Sequence, residues 1–308
     1  MIDFINKKKW FFLFSGIVLL IGIISLLSVG LQQGIEFSGG TMMTLRFERE
    51  VSQDELRGEM ANLGHSNAVI QKTESGDYLI RTSVLLDEEV NQIIAGLGQR
   101  FGEEPTVEEI YEVSGSIASE IVSDASIAVV IAAIGILVYV TWAFRKMRRS
   151  FRYGVCAIIA LIHDVLVVLG VFSILGLALD LEIDAMFITG ILTIIGYSVN
   201  DTIVVFDRIR ENRLKNPGAA FPTIVNMSIT ETLGRSLNTA MTTLLVVLAL
   251  LLLGGATLHN FVLVLLIGII TGTYSSICIA SQLLVLWESG AFSRVFRRLF
   301  PRRMPAGG

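Results

Sequence analysis

Two acidic side chains in strongly apolar surroundings are the first candidates for chemistry. Asp201 lies about sixteen residues into an apolar run that begins near Ala185, and Asp164 follows His163 in an earlier run. A carboxylate in hydrocarbon costs roughly 2.5–3.5 kcal/mol on insertion scales, so its presence indicates a partner, a water path or a use. Proton transfer is one such use. For His163 and Asp164, a buried structural pair is an equal alternative.

A second polar cluster begins about thirty residues after Asp201, at the start of another apolar run. Its members share one helix face, because they are spaced by three or four residues: Arg235, Asn238, Thr239, Thr242 and Thr243. Arg235 is the cation best placed to pair with Asp201, although it could instead anchor the helix at the lipid headgroups. We predict a site for proton transit lined by Asp201, Asn200, Arg235, Asn238 and Thr239, supported by His163, Asp164 and Thr242.

Small and hydroxylated residues mark the last apolar run at the same helical spacing: Gly268, Thr271, Gly272, Ser275 and Ser276. Small residues at this spacing let helices pack closely within a membrane. We therefore interpret Gly268, Gly272, Ser275 and Ser276 mainly as a packing surface. Three successive helices thus carry one polar or small stripe each. We expect these stripes to face one another rather than lipid.

The composition is that of a polytopic membrane protein. Hydrophobic residues make up 53% of the chain, charged residues 17%, and the mean hydropathy is +0.67. No nucleic-acid motif or Gly-rich phosphate loop appears, so we expect no cofactor and no metal, and we predict that the chain is not an enzyme. Cys156 and Cys278 both lie in apolar runs and indicate no disulfide framework.

Charge is segregated along the chain. Residues 32–124 hold eighteen acidic and six basic side chains, whereas the remainder holds ten acidic and eighteen basic. Six membrane spans would place every basic cluster on one side of the membrane. By the positive-inside rule that side is the cytoplasm, which would then hold both termini.

The predicted organisation follows from these runs. The first span, at 10–31, is longer than the apolar part of a signal peptide and lacks a small-residue cleavage site. An extracytoplasmic domain at 32–124 follows, and spans two to six occupy 125–287. The cytoplasmic parts would be residues 1–9, loops at 145–153 and 207–235, and a basic tail at 288–308. Within the second loop, Phe221–Leu233 is expected as an amphipathic interfacial helix.

The inserted domain shows alternating strand and helix patterns. A capping box of Ser52 and Glu55 marks the start of its first helix. The predicted order is β-α-β-β-α-β, which is typical of a ferredoxin-like split βαβ unit, with segments at Thr41–Phe47, Ser52–Leu63, Ala68–Thr73, Tyr78–Ser83, Asp87–Phe101 and Val107–Val113. The loop before it, GIEFSGG, is interpreted as a hinge or a docking turn through Gly34, Glu36, Phe37, Gly39 and Gly40.

Several of these motifs resemble the SecF family, the membrane subunits that accompany SecD in bacterial protein export. The similarity covers the chain from the first span to the sixth, and the GYSVNDTIVVFDRIREN motif is highly specific. The other motifs that resemble the family are GIEFSGG at 34–40, ALIHD at 160–164 and RSLNTAMTT at 235–243. One departure is Glu36, since the family loop usually has an aspartate there.

The resemblance implies a half of a twelve-span unit similar to the proton-driven exporters of the RND superfamily. Such a unit would use the proton-motive force to promote late preprotein translocation across the bacterial cytoplasmic membrane, after the ATP-driven steps of SecA. The implied partners are SecD, the SecYEG channel, SecA and YajC. The family places the equivalents of Asp201, Arg235 and Thr239 in proton transit, opposite an aspartate of SecD.

Two other functions fit parts of the sequence. Six spans and one external domain also make half of a proton-coupled RND-type exporter of lipids or small molecules. An intramembrane aspartyl protease using Asp164 and Asp201 is the second alternative, but the Y-D and G-x-G-D motifs of such proteases do not occur around these residues.

Overall fold

A computed structural model describes residues 3–73, 76–147, 149–179, 181–255 and 258–290. The chain divides into two compact units. A helical unit comprises Met1–Leu31, Val129–Leu181 and Met186–Gly308, and an α+β unit comprises Gln32–Ala128 and Glu182–Ala185. Most of the basic tail expected at 288–308 lies outside the described residues.

Among the described residues, six helices are long and apolar enough to cross a membrane, which confirms the predicted fold class. The last of them contains a five-residue π-helix, whose backbone bonds skip one more residue than in an α-helix. The six are α1 (Lys8–Ser28), α5 (Gly115–Ala143), α6 (Phe151–Leu179), α7 (Ala185–Lys215), α8 (Phe221–Leu253) and a sixth formed by α9 (His259–Ser275), the π-helix (Ser276–Ala280) and α10 (Ser281–Glu288).

The helices α1 and α6 approach each other at a glycine pair. A Cβ atom added to Gly170 would lie 2.6 Å from the Cα of Gly22, so the two backbones touch with no side chain between them. One turn further on, the hydroxyls of Ser25 and Ser173 are hydrogen-bonded at 2.7 Å. Close backbone contact and interhelical hydrogen bonds are the interactions that hold helices together in lipid, where the hydrophobic effect between helices is absent.

The segment 207–235 differs from the loop that the sequence predicts. Helix α7 continues to Lys215 and α8 begins at Phe221, so only residues 216–220 connect them. A network of side chains explains this extension: Glu231 accepts hydrogen bonds from Arg208 (2.6 Å) and Asn212 (2.7 Å). The helix expected at Phe221–Leu233 exists, but it is continuous with the fifth span.

The α+β unit has the predicted ferredoxin-like topology. Its four strands pair in the order β2-β3-β1-β4, and every neighbouring pair is antiparallel. Consecutive elements are α2 (Ile35–Ser38), β1 (Gly40–Arg46), α3 (Gln53–Asn62), β2 (Val69–Lys72), β3 (Tyr78–Thr82), α4 (Asp87–Phe101) and β4 (Thr106–Val113). Helices α3 and α4 close one face of the sheet over a buried apolar core that includes Met43, Leu56, Ile80 and Leu97.

The first helix of this core begins at a reciprocal capping box. The Ser52 hydroxyl accepts from the Glu55 backbone N–H, and the Glu55 carboxylate accepts from the Ser52 N–H at 3.1 Å. The hydrogen bonds from Ser52 lower the pKa of Glu55. The stability contributed by Glu55 is therefore present above its unfolded pKa and is lost as the pH falls through its lower folded pKa.

Replacing Ser52 with alanine is expected to destabilise α3 by about 1 kcal/mol, because a backbone donor at the helix start loses its partner. Hydrogen–deuterium exchange of the α3 amides measures this change, which corresponds to roughly fivefold faster local opening. Ser66→Ala, in the exposed turn after the helix, is the control. Unchanged exchange in Ser52→Ala would show that the capping box does not limit opening of α3.

Candidate functional site

Only one of the two carboxylate oxygens of Asp201 accepts a hydrogen bond from a described residue. Asp201 lies on α7 and is partly buried. Its Oδ1 accepts a hydrogen bond from the Ser236 hydroxyl of α8 at 2.6 Å. Its Oδ2 is buried and has no hydrogen-bond partner among the described residues. The Ser276 hydroxyl is close enough to interact with this carboxylate but does not bond to Oδ2. A buried oxygen without a donor is a place where a proton can bind.

The polar stripe of α8 does not face the interior, contrary to the sequence expectation. Its inner positions are taken by Ser236, Ala240 and Val247, which are buried. The predicted stripe is therefore rotated outward, and its exposed members are Arg235, Asn238, Thr239 and Thr242. The stripe of α7 is also largely exposed at this level, and Asn200 is part of it.

Together these exposed side chains form a polar face, which we define as Asn200, Arg235, Asn238, Thr239 and Thr242. Asp201 lies at its inner margin. Arg235 and Asp201 form no ion pair in the described part of the chain, although Arg235 is near enough for its charge to act on the carboxylate. The Thr242 hydroxyl donates to the backbone carbonyl of Asn238 at 3.0 Å, as hydroxyls in apolar helices commonly do.

His163 and Asp164 form a separate buried cluster. The Nδ1 of His163 lies 3.0 Å from Oδ1 of Asp164. Oδ2 of Asp164 accepts from the hydroxyls of Ser198 (2.6 Å) and Ser275 (2.7 Å). The two residues are 7% and 2% exposed. They belong to α6, and no hydrogen bond among the described residues joins either of them to Asp201. The support that the sequence predicts for Asp201 is therefore not a direct contact.

The small stripe of the sixth helix packs against α7. A Cβ on Gly268 would lie 2.4 Å from the Ile194 side chain, and one on Gly272 would lie 2.9 Å from Cβ of Ser198. Ser275 and Ser276 also form hydrogen bonds to other helices. Ser275 donates to Asp164, and Ser276 shares a 2.8 Å hydrogen bond with the hydroxyl of Thr202.

The glycine-rich loop organises the start of the α+β unit. Residues Ile35–Ser38 form a short helix, and Gly39 and Gly40 follow with φ of 75° and 149°. A Cβ on Gly40 would lie 2.4 Å from the carbonyl oxygen of Thr82, so only glycine fits. Phe37 donates its N–H to the Gly34 carbonyl at 3.0 Å.

Glu36 has a definite contact that the sequence did not reveal. Its carboxylate accepts a hydrogen bond from the backbone N–H of Ala185, the first residue of α7. An acidic group suits this position, because the first N–H groups of a helix lack partners and carry a partial positive charge. The glutamate thus performs a helix-capping contact.

A buried ion pair in the α+β unit was also not predicted. The guanidinium of Arg81 pairs with the Glu182 carboxylate, and their side chains are 16% and 9% exposed. Burial lowers the pKa of Arg81, while the Asp184 carboxylate opposes this change. Arginine nonetheless stays protonated in proteins. The pair fixes the segment Glu182–Ala185 to the strand β3.

Three serines hold the two carboxylates. The sequence analysis missed Ser198 and Ser236, and it interpreted Ser275 only as a packing residue. Ser236 lies one residue away from the predicted stripe. A helical projection would have found it, since it shares an inner face with the apolar Ala240 and Val247.

The aspartates do not form a protease-like pair. In a protease dyad two carboxylates lie side by side and share one proton. Here the partners of Asp164 are His163, Ser198 and Ser275, whereas Asp201 is bound by Ser236. No hydrogen bond in the described part of the chain joins the two groups. The geometry does not favour the aspartyl-protease alternative.

Comparison with known families matches most of the chain. The model for the protein export membrane protein SecD/SecF, C-terminal, matches residues 94–290. The SecD/SecF GG motif matches residues 24–51, which include the loop that carries Gly39 and Gly40.

Individual relatives agree with this match. A protein translocase subunit SecF from Thermobaculum terrenum is 45% identical, over 98% of both chains. A protein translocase subunit SecDF from Bacillus subtilis is 36% identical over 93% of this chain and 38% of that protein. The crystal structure of the translocon-associated SecDF from Thermus thermophilus has a TM-score of 0.82 at 36% identity, over 94% of this chain and 39% of that one. The chain therefore belongs to the SecD/SecF family of protein export membrane proteins.

Proposed function

We propose that the chain is the SecF-type half of a proton-driven unit that promotes late translocation of preproteins across the bacterial cytoplasmic membrane. The observation that carries this proposal is the Asp201 carboxylate, with Oδ1 on Ser236 and a buried Oδ2 that lacks a donor. Protonation makes such a group neutral in apolar surroundings, and this loss of charge favours proton uptake.

The two states of Asp201 differ in charge, and this difference can drive movement of helices. The ionised carboxylate is attracted by the Arg235 charge, whereas the protonated form is not. A proton that binds from one side of the membrane and leaves towards the other would therefore change how α7 and α8 interact in each cycle. That coupling is what a unit driven by the proton-motive force requires.

The exposed polar face points to a second membrane half. Polar side chains that face lipid are costly, and they normally lie against protein or water. The longer SecDF relatives, of which this chain covers about two fifths, contain additional chain. We assign the SecD subunit to this polar face, where it would enclose Asp201 together with Arg235, Asn238 and Thr239.

The remaining partners and the topology follow from the same proposal. The unit would act with the SecYEG channel, SecA and YajC, and ATP hydrolysis would belong to SecA. Basic clusters near Lys7–Lys9 and Arg208–Lys215 support a cytoplasmic location of both termini. The α+β unit then lies on the extracytoplasmic side, where it would meet emerging preproteins.

Inverted membrane vesicles that contain SecYEG but lack SecD and SecF test this function. Preprotein translocation by SecA is measured with and without the chain and its SecD partner. We expect stimulation that disappears when a protonophore collapses the proton gradient and persists when a sodium ionophore is added. Equal stimulation with the protonophore would contradict the proposal. Export of a lipid or small molecule without any effect on preproteins would favour the exporter alternative.

Replacing Arg235 with methionine is expected to reduce the gradient-dependent stimulation roughly 5- to 30-fold. The reason is the loss of about 1–2 kcal/mol of interaction between an exposed cation and the Asp201 carboxylate. Arg235→Lys keeps the charge and should retain most of the activity. Lys215→Met removes another exposed cation near the end of α7 and serves as the control. Equal activity of Arg235→Met and Lys215→Met would show that the Arg235 charge is not used.

A further inference from the structure

We propose that His163 and Asp164 form a second proton-binding site, buried in the helical unit and coupled to Asp201. The proposal rests on the proton-driven function inferred above and extends it to residues that the Asp201 site does not contain. The proton would bind at Nε2 of His163. The carboxylate of Asp164 would hold the resulting imidazolium.

The hydrogen bonds of Asp164 indicate the protonation state of the His163–Asp164 pair. Two serine hydroxyls donate to Oδ2, and His163 Nδ1 lies within bonding distance of Oδ1. We take Asp164 as ionised, since both serines donate to it. An ionised carboxylate only accepts hydrogen bonds, so Nδ1 of His163 carries the hydrogen of their contact. Its Nε2 is then the nitrogen with a free lone pair. This assignment leaves the pair with one net negative charge.

The free nitrogen is the unexpected feature. Nε2 of His163 is buried and has no hydrogen-bond partner among the described residues. Buried polar atoms are nearly always paired, so an unpaired one requires an explanation, and a role in chemistry is one. This nitrogen is therefore the atom of the pair to which a proton can be added without breaking a hydrogen bond. Proton binding makes the pair electrically neutral, which suits a site surrounded by apolar helices.

The proton balance of the step is simple. One proton arrives at the Nε2 lone pair, and the Nδ1 hydrogen stays directed at Asp164. The pair changes from a net charge of minus one to zero. Release of the same proton from Nε2 restores the first state. No other bond forms or breaks.

The sixth helix links this pair to Asp201 through two adjacent serines. Ser275, the last residue of α9, donates to Asp164. Ser276, the first residue of the π-helix, bonds to the Thr202 hydroxyl. Thr202 follows Asp201 directly in α7. A change in the charge of the His163–Asp164 pair therefore reaches the turn that carries Asp201, through neighbouring residues at an irregular and adaptable part of the helix.

Few other groups near the pair can titrate. From the sixth helix, the Tyr274 ring lies 6.3 Å from the His163 ring, and its hydroxyl donates to the carbonyl of Phe11 at 3.0 Å. The helix α1 contributes the neutral Ser15, which bonds to the Tyr274 hydroxyl. From α7, the packed side chain is Ser198, which is also neutral. Among the described residues, Ser275 and Ser276 link the pair to one further carboxylate, that of Asp201, through Thr202.

Histidine-selective ¹⁵N NMR tests the proposal, because the chain has only three histidines. The labelled full-length chain is reconstituted in lipid with its SecD partner and titrated. His163→Gln assigns the signal, while His259, exposed, and His65, partly exposed, are internal references. We expect the His163 signal to change from a neutral Nδ1–H ring to a doubly protonated ring as the pH falls.

Coupling is tested by repeating the titration in Asp201→Asn. Loss of the negative charge on Asp201 should weaken proton binding, so the His163 midpoint should move to lower pH while those of His65 and His259 stay constant. A His163 ring that keeps one protonation state throughout the folded range would overturn the proposal. A midpoint that titrates but does not respond to Asp201→Asn would overturn the coupling. Neither result depends on whether Asp201 conducts protons, which is measured separately by flux.

Discussion

Replacing Asp201 with asparagine is expected to abolish the gradient-dependent part of translocation while leaving the SecA-driven part intact. Asparagine has nearly the same shape, and its Oδ1 can still accept the 2.6 Å hydrogen bond from Ser236. It cannot ionise or release a proton. The expected loss is roughly 100-fold or more, the range for removal of a proton-transfer group. The vesicle assay with and without protonophore measures it.

The matched control is Asp207→Asn. Asp207 lies six residues later on the same helix, but it is exposed and its carboxylate pairs with Arg210 at 2.6 Å. It should retain full stimulation. If Asp201→Asn and Asp207→Asn gave the same gradient-dependent stimulation, Asp201 would not be the residue that responds to the gradient.

Replacing Gly170 with alanine is expected to destabilise the helical unit by about 1–3 kcal/mol, the usual effect of overpacking. The new Cβ would lie 2.6 Å from the Cα of Gly22, so the helices α1 and α6 must move apart. The hydrogen bond between Ser25 and Ser173 would weaken with them. Thermal unfolding of the purified chain in detergent measures the change.

Gly16→Ala in α1 is the control, because nothing lies within 4 Å of a Cβ at that position. Alanine there should be neutral or slightly stabilising, since it favours the helix over glycine. Both substitutions replace glycine with alanine, but only Gly170→Ala is expected to lower the stability of the helical unit. A Gly170→Ala protein as stable as Gly16→Ala would show that the contact between α1 and α6 is loose.

The fold was largely predictable because its signals are local. Apolar runs of membrane length identify six helices. Alternation and the Ser52–Glu55 capping box locate the elements of the α+β unit, and their order is that of a split βαβ sheet. The helices α7 and α8 extend beyond the apolar runs where polar side chains hold them together. Glu231, with Arg208 and Asn212, stabilises such an extension, and hydropathy cannot detect it.

The sequence predicted which polar residues share a face of α8, but not the direction in which that face points. Spacing correctly grouped Arg235 with Asn238 and Thr239 on one helix face. It could not show that this face is exposed, because rotation of α8 is set by packing of Ser236 and Ala240. The contact between Gly22 and Gly170 joins residues far apart in sequence. The π-helix likewise lacks a sequence pattern of its own.

Proton flux tests the central claim most directly. The chain and its SecD partner are reconstituted in liposomes, a proton gradient is imposed, and internal pH is followed for the unmodified chain, Asp201→Asn and Asp207→Asn. We predict equal flux for the unmodified chain and Asp207→Asn, and flux for Asp201→Asn no greater than in protein-free liposomes. Undiminished flux through Asp201→Asn would contradict the assignment of Asp201 as the proton-binding group.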